Sequence, residues 1–318
     1  MYKFIVVAML THWFVTSVYS QDKPPPVSFV LNDWASQRVH TVAIAQILEE
    51  HGIAADFVQL QYNEQFGALR SGVAHVQIEA WEPDKSETYD RLVARKQILV
   101  IGTHQVRARE EWWYPKYVEE YCPGLPDWRA LNACAAIFAE PTDDEQVVTK
   151  GTLFSGGWDS HDAEIIRSLN LDFTINRMTN SSELWSTLRR YAESERPILL
   201  HNWTPNWTEK HIPGEFVKFP PYTKECESDP KWGVNPQMTH DCANPTDVWI
   251  QKLIWPGLTQ SHPCVYEFLV NVSFSQEMLI EAPALVFVEG LSEQQAAQRW
   301  RATFAHEIQQ WLAGSCLR

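Results

Sequence analysis

The chain is short of positive charge. It carries 26 lysines and arginines against 40 aspartates and glutamates, a formal net charge of -14. So acidic a surface argues against nucleic acid and anionic membranes as partners and mildly for cationic ligands. After Ser20 no apolar run is long enough to span a bilayer. There is no Cys-x-x-Cys, so neither a zinc ribbon nor a thioredoxin-like redox site is indicated, and no metal or cofactor is expected. A Gly-x-Ser-x-Gly nucleophile elbow is missing, as are internal repeats and low-complexity tracts.

Tryptophan is the opposite extreme, with 15 in 318 residues. The six cysteines (Cys122, Cys134, Cys226, Cys242, Cys264 and Cys316) are an even set, which suits an oxidising, exported compartment. Pairing sequence neighbours is the simplest connectivity, and other connectivities stay open. Cys226 with Cys242 would tie off a polar, proline-bearing loop at 219–247 that has little core of its own. The N-terminus reads as a signal peptide over 1–20. Lys3 supplies its charge, Phe4 to Val15 its apolar run, and Val18-Tyr19-Ser20 a cleavage site before Gln21.

The apolar patterning predicts strands at 27–31, 55–60, 73–78 and 97–102, with helices at 39–51, 64–70 and 85–95 between them. That is the alternation of an α/β domain with a largely parallel sheet. A second alternation follows. It has a helix at 127–138, strands at 151–154, 173–175 and 197–200, and helices at 160–169 and 180–193. Asn180-Ser181-Ser182-Glu183 reads as the helix-opening cap. Beyond 219–247, a strand at 246–255 and helices at 263–274 and 292–312 complete the chain. The first and last parts form one lobe (21–105 with 210–318) and the middle another (106–209). Crossings near 103–109 and 208–215 would make the hinge.

Trp34, Trp81, Trp158 and Trp203 each fall just past the C-terminal end of a predicted strand. In open α/β sheets ligands bind at that edge, whereas a core tryptophan more naturally falls within an element. The run Glu110-Glu111-Trp112-Trp113-Tyr114-Pro115-Lys116-Tyr117 adds acids beside paired indoles. A methylated ammonium has no N–H to donate, so a protein holds it with aromatic faces and nearby negative charge.

These residues carry a resemblance. Asn32-Asp33-Trp34-Ala35-Ser36, Glu79-Ala80-Trp81, the 110–117 run, Ser155-Gly156-Gly157-Trp158, Trp203-Thr204-Pro205 and Asp241-Cys242-Ala243-Asn244-Pro245 resemble the periplasmic substrate-binding proteins of ABC importers for glycine betaine, choline and trimethylamine N-oxide. The resemblance covers about residues 27 to 290. The acid before the tryptophan pair and the Asp-Cys-Ala-x-Pro loop look most like the trimethylamine N-oxide binders. The resemblance implies an α/β protein of the type II periplasmic-binding fold, two lobes closing on the ligand, a periplasmic location, a monomer, and an ABC permease as partner. It places Trp34, Trp81, Trp113, Trp158 and Trp203 in a tryptophan cage, with Glu79 and Glu110 as acids beside it. Trp112 is ambiguous. One departure is Asn206, where several glycine betaine binders have His or Tyr; His161 and His201 are the alternatives for a carboxylate. The rival readings are a secreted hydrolase, using Ser155 with His201, Asp159-Ser160-His161, or the acids Glu79 and Glu110, and a binding protein that serves a sensor.

Overall fold

The structure, a computed structural model, describes residues 25–81, 87–140, 150–158 and 160–317. The expected signal peptide, the acidic turn beyond Glu140, and Asp159 lie outside the described residues. The strands are β1 (Val27–Leu31), β2 (Ala55–Gln59), β3 (Val76–Trp81), β4 (Leu99–Pro115), β5 (Pro123–Pro126), β6 (Gly151–Ser155), β7 (Phe173–Arg177), β8 (Leu199–Thr204), β9 (Gly214–Phe216) and β10 (Val248–Ile254). Their order is β2-β1-β3-β10-β4-β8-β6-β7, with β9 added to β4. β1, β2 and β3 are parallel, as are β6, β7 and β8. β10 runs antiparallel between β3 and β4. The alternation predicts α/β halves with largely parallel sheets; the antiparallel pairings of β4 with β10, β8 and β9 make the sheet mixed.

One strand joins the two halves. β4 pairs with β10 from Leu99 to Ala108, and with β8 and β9 from Arg109 to Pro115. The expected strand at 97–102 therefore continues through the aromatic run, and Pro115 ends it, because a proline cannot donate to a ladder. The strand bends at Gln105, whose φ is 58°. There the pairing with β10 slips out of register between Thr103 and Arg107, as at a β-bulge. The chain returns from the second half only at Val248, which is the ladder partner of Ala108. The guanidinium of Arg107 donates to the Asp247 carbonyl at 2.9 Å and lies 3.5 Å from the centre of the Trp249 ring.

Residues 214–247 had been expected beside the first half. They pack on the second: β9 pairs with Trp113–Pro115, and Val217, Phe219 and Ala243 share a core with Trp112, Tyr114, Leu153 and Phe173. Disulfides join Cys122 to Cys134, Cys226 to Cys242 and Cys264 to Cys316.

Three helices depart from the sequence reading. The first runs over Ala35–Glu50 and so begins four residues earlier than expected. A largely buried helix at Gln276–Phe287 has no counterpart in the reading; Pro283 lies inside it, and eight of its 12 residues are buried. The expected helix 292–312 is two, Glu293–Thr303 and Ala305–Ala313, broken at Phe304. Ser292 does cap the first of these, with its hydroxyl accepting from the Gln295 amide.

The halves are in contact. The Ser181 hydroxyl donates to the Asp33 carbonyl at 2.7 Å, and the Arg189 guanidinium to the Phe287 carbonyl at 2.7 Å. Trp185 and Trp207 from the second half pack against Phe287 from the first. Among the described residues no helix is long and apolar enough to cross a membrane.

Candidate functional site

The C-terminal ends of the strands bring indoles from both halves together. Trp34 caps the helix Ala35–Glu50 just after β1, and Trp81 is the last residue of β3. Trp158 follows β6, and Trp203 lies next to last in β8. Trp81 and Trp203 thus belong to their strands rather than lying beyond them. The ring of Trp203 meets that of Trp81 edge-on at 6.4 Å and that of Trp158 edge-on at 5.6 Å. Trp185, on the helix Ser181–Glu193, closes on Trp203 from behind at 4.9 Å. Trp34, Trp81 and Trp203 are buried, and Trp158 is half-buried.

Glu79 organises the first half's share of this cluster. Its side chain is wholly buried. One carboxylate oxygen accepts from the indole N–H of Trp34 at 2.9 Å, from that of Trp81 at 3.3 Å and from the Ser36 hydroxyl at 2.7 Å. The other lies 2.8 Å from Nδ1 of His40. The acid therefore sits behind the rings and holds their N–H edges. Tyr62 adds a ring 6.4 Å from that of Trp34, and its hydroxyl donates to the Trp81 carbonyl at 2.8 Å.

Trp113 stands apart from these ring contacts. It is buried on β4, and its indole lies where any side chain on Gly214 of β9 would have to go. Trp112, left ambiguous by the sequence, is wholly buried in the second core; its indole N–H donates to Asp162 at 2.8 Å.

A second acid–base group adjoins the indoles in the second half. His201 on β8 is buried, with Nδ1 3.4 Å from Asp162 and Nε2 3.5 Å from Glu110. Burial alone would lower the imidazolium's pKa. The charges of Asp162 and Glu110 outweigh that and push it up to about 10. Burial likewise favours protonated Asp162, yet His201 and the hydroxyls of Ser160 and Ser155 hold it well below the usual carboxylate range. The ring of Trp158 is 6.0 Å from that of His201. Glu110 pairs across the ladder with Trp203, and its side chain is 38% exposed. Next to it, Glu111 is buried, and that burial raises its pKa to about 7 against the hydrogen bonds from the Trp112 and Asn244 amides. The acid before the tryptophan pair and the Asp-Cys-Ala-x-Pro loop thus meet, at 2.9 Å between the Asn244 nitrogen and Glu111.

This group does not have the order of a hydrolytic triad. Ser155 and Ser160 both donate to Asp162 at 2.7 Å, so Asp162 separates the hydroxyls from the imidazole. A serine nucleophile needs the base itself as its acceptor. His161 is exposed, with its ring 4.5 Å from that of His240. Asn206 is buried and spends its side chain on Asn202 and the Trp207 amide.

Sequence reasoning missed Ser36, His40, Asp162 and Trp185. Ser36 and His40 are four apart and share a helix face. The late start assigned to that helix left Ser36 outside it. Among the described residues no group of three or more His, Cys, Asp or Glu side chains is placed to hold a metal ion.

Three comparisons with known proteins bear on this site. The family described as the substrate binding domain of the ABC-type glycine betaine transport system matches residues 25–303. A protein of Pelagibacter ubique (strain HTCC1062) named trimethylamine N-oxide-binding protein is 28% identical over 290 residues, covering 88% of each chain. Among solved structures, an ABC-transporter choline binding protein in complex with choline superposes with a TM-score of 0.69 at 18% identity, covering 92% of this chain and 93% of its own. Lactococcal OpuAC in its closed-liganded conformation with glycine betaine gives 0.64 at 17% identity, over 90% and 99%. At these identities the structures speak for the fold alone, which is that of the periplasmic binding proteins.

Proposed function

The chain belongs to the family of substrate-binding domains of ABC-type glycine betaine transport systems, and from that premise we propose that it captures a small methylated amine in an indole cage and hands it to an ABC permease. It is a binding protein, of a family that carries solutes and does not transform them. The ligand class is the one its relatives' names share: trimethylamine N-oxide, choline or glycine betaine. The single observation that carries the cage is that indoles from opposite halves, Trp81 and Trp203, meet edge-on at 6.4 Å beside Trp158. Each indole face that a methylated ammonium touches is worth roughly 0.5–2 kcal/mol, more as water is excluded. Trp34, Trp81, Trp158 and Trp203 supply the faces, and Glu79 holds two of them by their N–H edges.

In this reading the halves are lobes, 25–108 with 248–317 and 109–247, that part to admit the ligand and close over it. Trp113 supports the wall from β4, and Glu110 contributes negative charge at the rim. The stretch 1–20 directs export, and the mature protein works outside the cytoplasm as a monomer. Intrinsic tryptophan fluorescence of the mature protein tests this. We expect saturable quenching at micromolar concentration by one or more of trimethylamine N-oxide, glycine betaine, choline and carnitine. Silence toward all four would remove the cage.

A further inference from the structure

Resting on the cage reading, we propose that His40 is the positioning residue of the first half's cage wall: through Nδ1 it fixes the Glu79 carboxylate that grips the Trp34 and Trp81 indoles, and so it sets the affinity for a methylated amine that it does not touch. His40 is wholly buried on the helix Ala35–Glu50, one turn after Ser36. The two residues share a helix face and divide the carboxylate between them. The Ser36 hydroxyl donates to Oε1 at 2.7 Å, and His40 Nδ1 lies 2.8 Å from Oε2. Oε1 also accepts both indole N–H groups, and three donors converging on one oxygen stabilise an ionised acid. The other imidazole nitrogen, Nε2, lies 3.2 Å from the Met278 carbonyl, which can only accept. The ring therefore donates at both ends, as an imidazolium does.

The surroundings hold the ring as firmly as the ring holds the acid. It stacks on Phe274 at 4.3 Å and meets Trp300 edge-on at 5.0 Å. The Trp300 N–H donates to the same Met278 carbonyl at 3.0 Å. Among the described residues His40 is the one basic side chain in ion-pair contact with Glu79, and a buried carboxylate stripped of such a partner is costly. Clamped by a fixed ring on one oxygen and by Ser36 on the other, the carboxylate has one orientation, and the indoles that donate to it inherit theirs. Met278 lies in the first turn of the helix Gln276–Phe287, whose last carbonyl accepts from Arg189 of the second half. His40 thus keys the cage wall to the helix that the other half reaches.

The test uses two amides that each replace one end of the ring. An asparagine amide reaches the place of Nδ1 and a glutamine amide that of Nε2. His40→Asn can therefore still donate to Glu79, and His40→Gln only to Met278. Both lose the ring's packing, so both should melt below wild type. Affinities are measured by calorimetry with trimethylamine N-oxide, choline and glycine betaine, on variants shown to be folded by near-ultraviolet circular dichroism. The expected result is a split. Affinity falls on the order of tenfold in His40→Gln and stays within about threefold of wild type in His40→Asn. Equal losses in the two variants, a loss confined to His40→Asn, or an unchanged affinity in His40→Gln would each overturn the proposal and leave His40 a core residue. Binding of none of the three by the wild type would instead overturn the cage reading beneath it. Proton NMR of the ¹⁵N-labelled wild type gives a readout that needs no variant to fold. The His40 Nδ1–H signal should shift together with the Trp34 and Trp81 indole N–H signals as the tightest-binding of the three ligands fills the site. Indole signals that move while the His40 signal stays fixed overturn the proposal.

Discussion

Replacing Glu79 by glutamine separates two ways an acid can serve a cage. If its work is to hold the indoles, the damage comes through their N–H edges. Glu79→Gln keeps the shape and removes the charge. The amide keeps one acceptor oxygen for the Trp34, Trp81 and Ser36 donors and can turn its NH2 to His40 Nδ1, so the partners stay and each hydrogen bond to the indoles loses its charge assistance. A hydrogen bond to a charged group is worth about 1.5–3 kcal/mol and a neutral one about half that. Two indoles held less firmly then forfeit part of their cation–π energy, about 0.5–2 kcal/mol each. Affinity for the methylated amine should fall on the order of tenfold to a hundredfold. The assay is isothermal calorimetry on wild type, Glu79→Gln, Trp34→Phe and the double variant, with near-ultraviolet circular dichroism to show that each is folded. Trp34→Phe keeps a ring face and deletes the N–H. If Glu79 acts through that N–H, the two losses overlap and the double variant is less than additive. Strict additivity, or an unchanged affinity in Glu79→Gln, refutes the reasoning.

Four further outcomes follow from the geometry. Trp203→Ala should weaken methylated-amine binding on the order of tenfold or more by calorimetry. Trp113→Ala, a residue outside the ring cluster, should cost stability in a thermal melt more than it costs affinity. Glu111, with its pKa raised from 4.5 to about 7, holds its proton more tightly folded than unfolded. Its contribution is complete below about pH 4.5 and is lost as pH rises through about 7, roughly 3 kcal/mol at most. The melting-temperature difference between Glu111→Gln and wild type should shift in the variant's favour across that window, and a flat difference would count against it. Lys252 is buried with its ammonium donating to the carbonyls of Leu269 and Val270 at 2.9 Å each, and to that of Val272. Lys252→Met strands these carbonyls at the C-terminal end of the helix Pro263–Asn271 and should destabilise by several kcal/mol, on the order of 1–3 per unpaired group, in denaturant unfolding.

The tryptophans at the strand ends were legible because the alternation of apolar runs fixes where a strand stops, and an indole there has few packing reasons to exist. The hydrogen bonds behind them were not. Glu79 could be read as an acid near an indole, but whether it faces the ligand or the rings' far edges depends on which way β3 turns its side chains. Moving that strand from 73–78 to Val76–Trp81 is enough to change the answer. Asp162 was illegible because its partners, Trp112 and His201, are 50 and 39 residues away. The helix Gln276–Phe287 is hidden by Pro283 and by burial over most of its circumference, which blurs the periodicity a sequence reading relies on. The 219–247 loop reads as stapled, but the half it packs on is not the one its place in the chain suggests. That is set by Val217, Phe219 and Ala243, too sparse to form a pattern.

The chain passes between its halves at Ala108 and Val248, and these two residues are ladder partners. Two tethers lying side by side behave as one flexure. Sliding one past the other would break the pairing between them, and stretching would break the backbone, but a ribbon of two strands twists at little cost. The bulge at Gln105 softens it on one side, and the Arg107 guanidinium clipped to Asp247 stiffens it on the other. In the proposed opening and closing of the halves, rotation about that ribbon would be the compliant coordinate. A tweezer with a single pivot has its jaws aligned whenever it shuts, so on that proposal indoles drawn from opposite halves would meet in the same register at every closure.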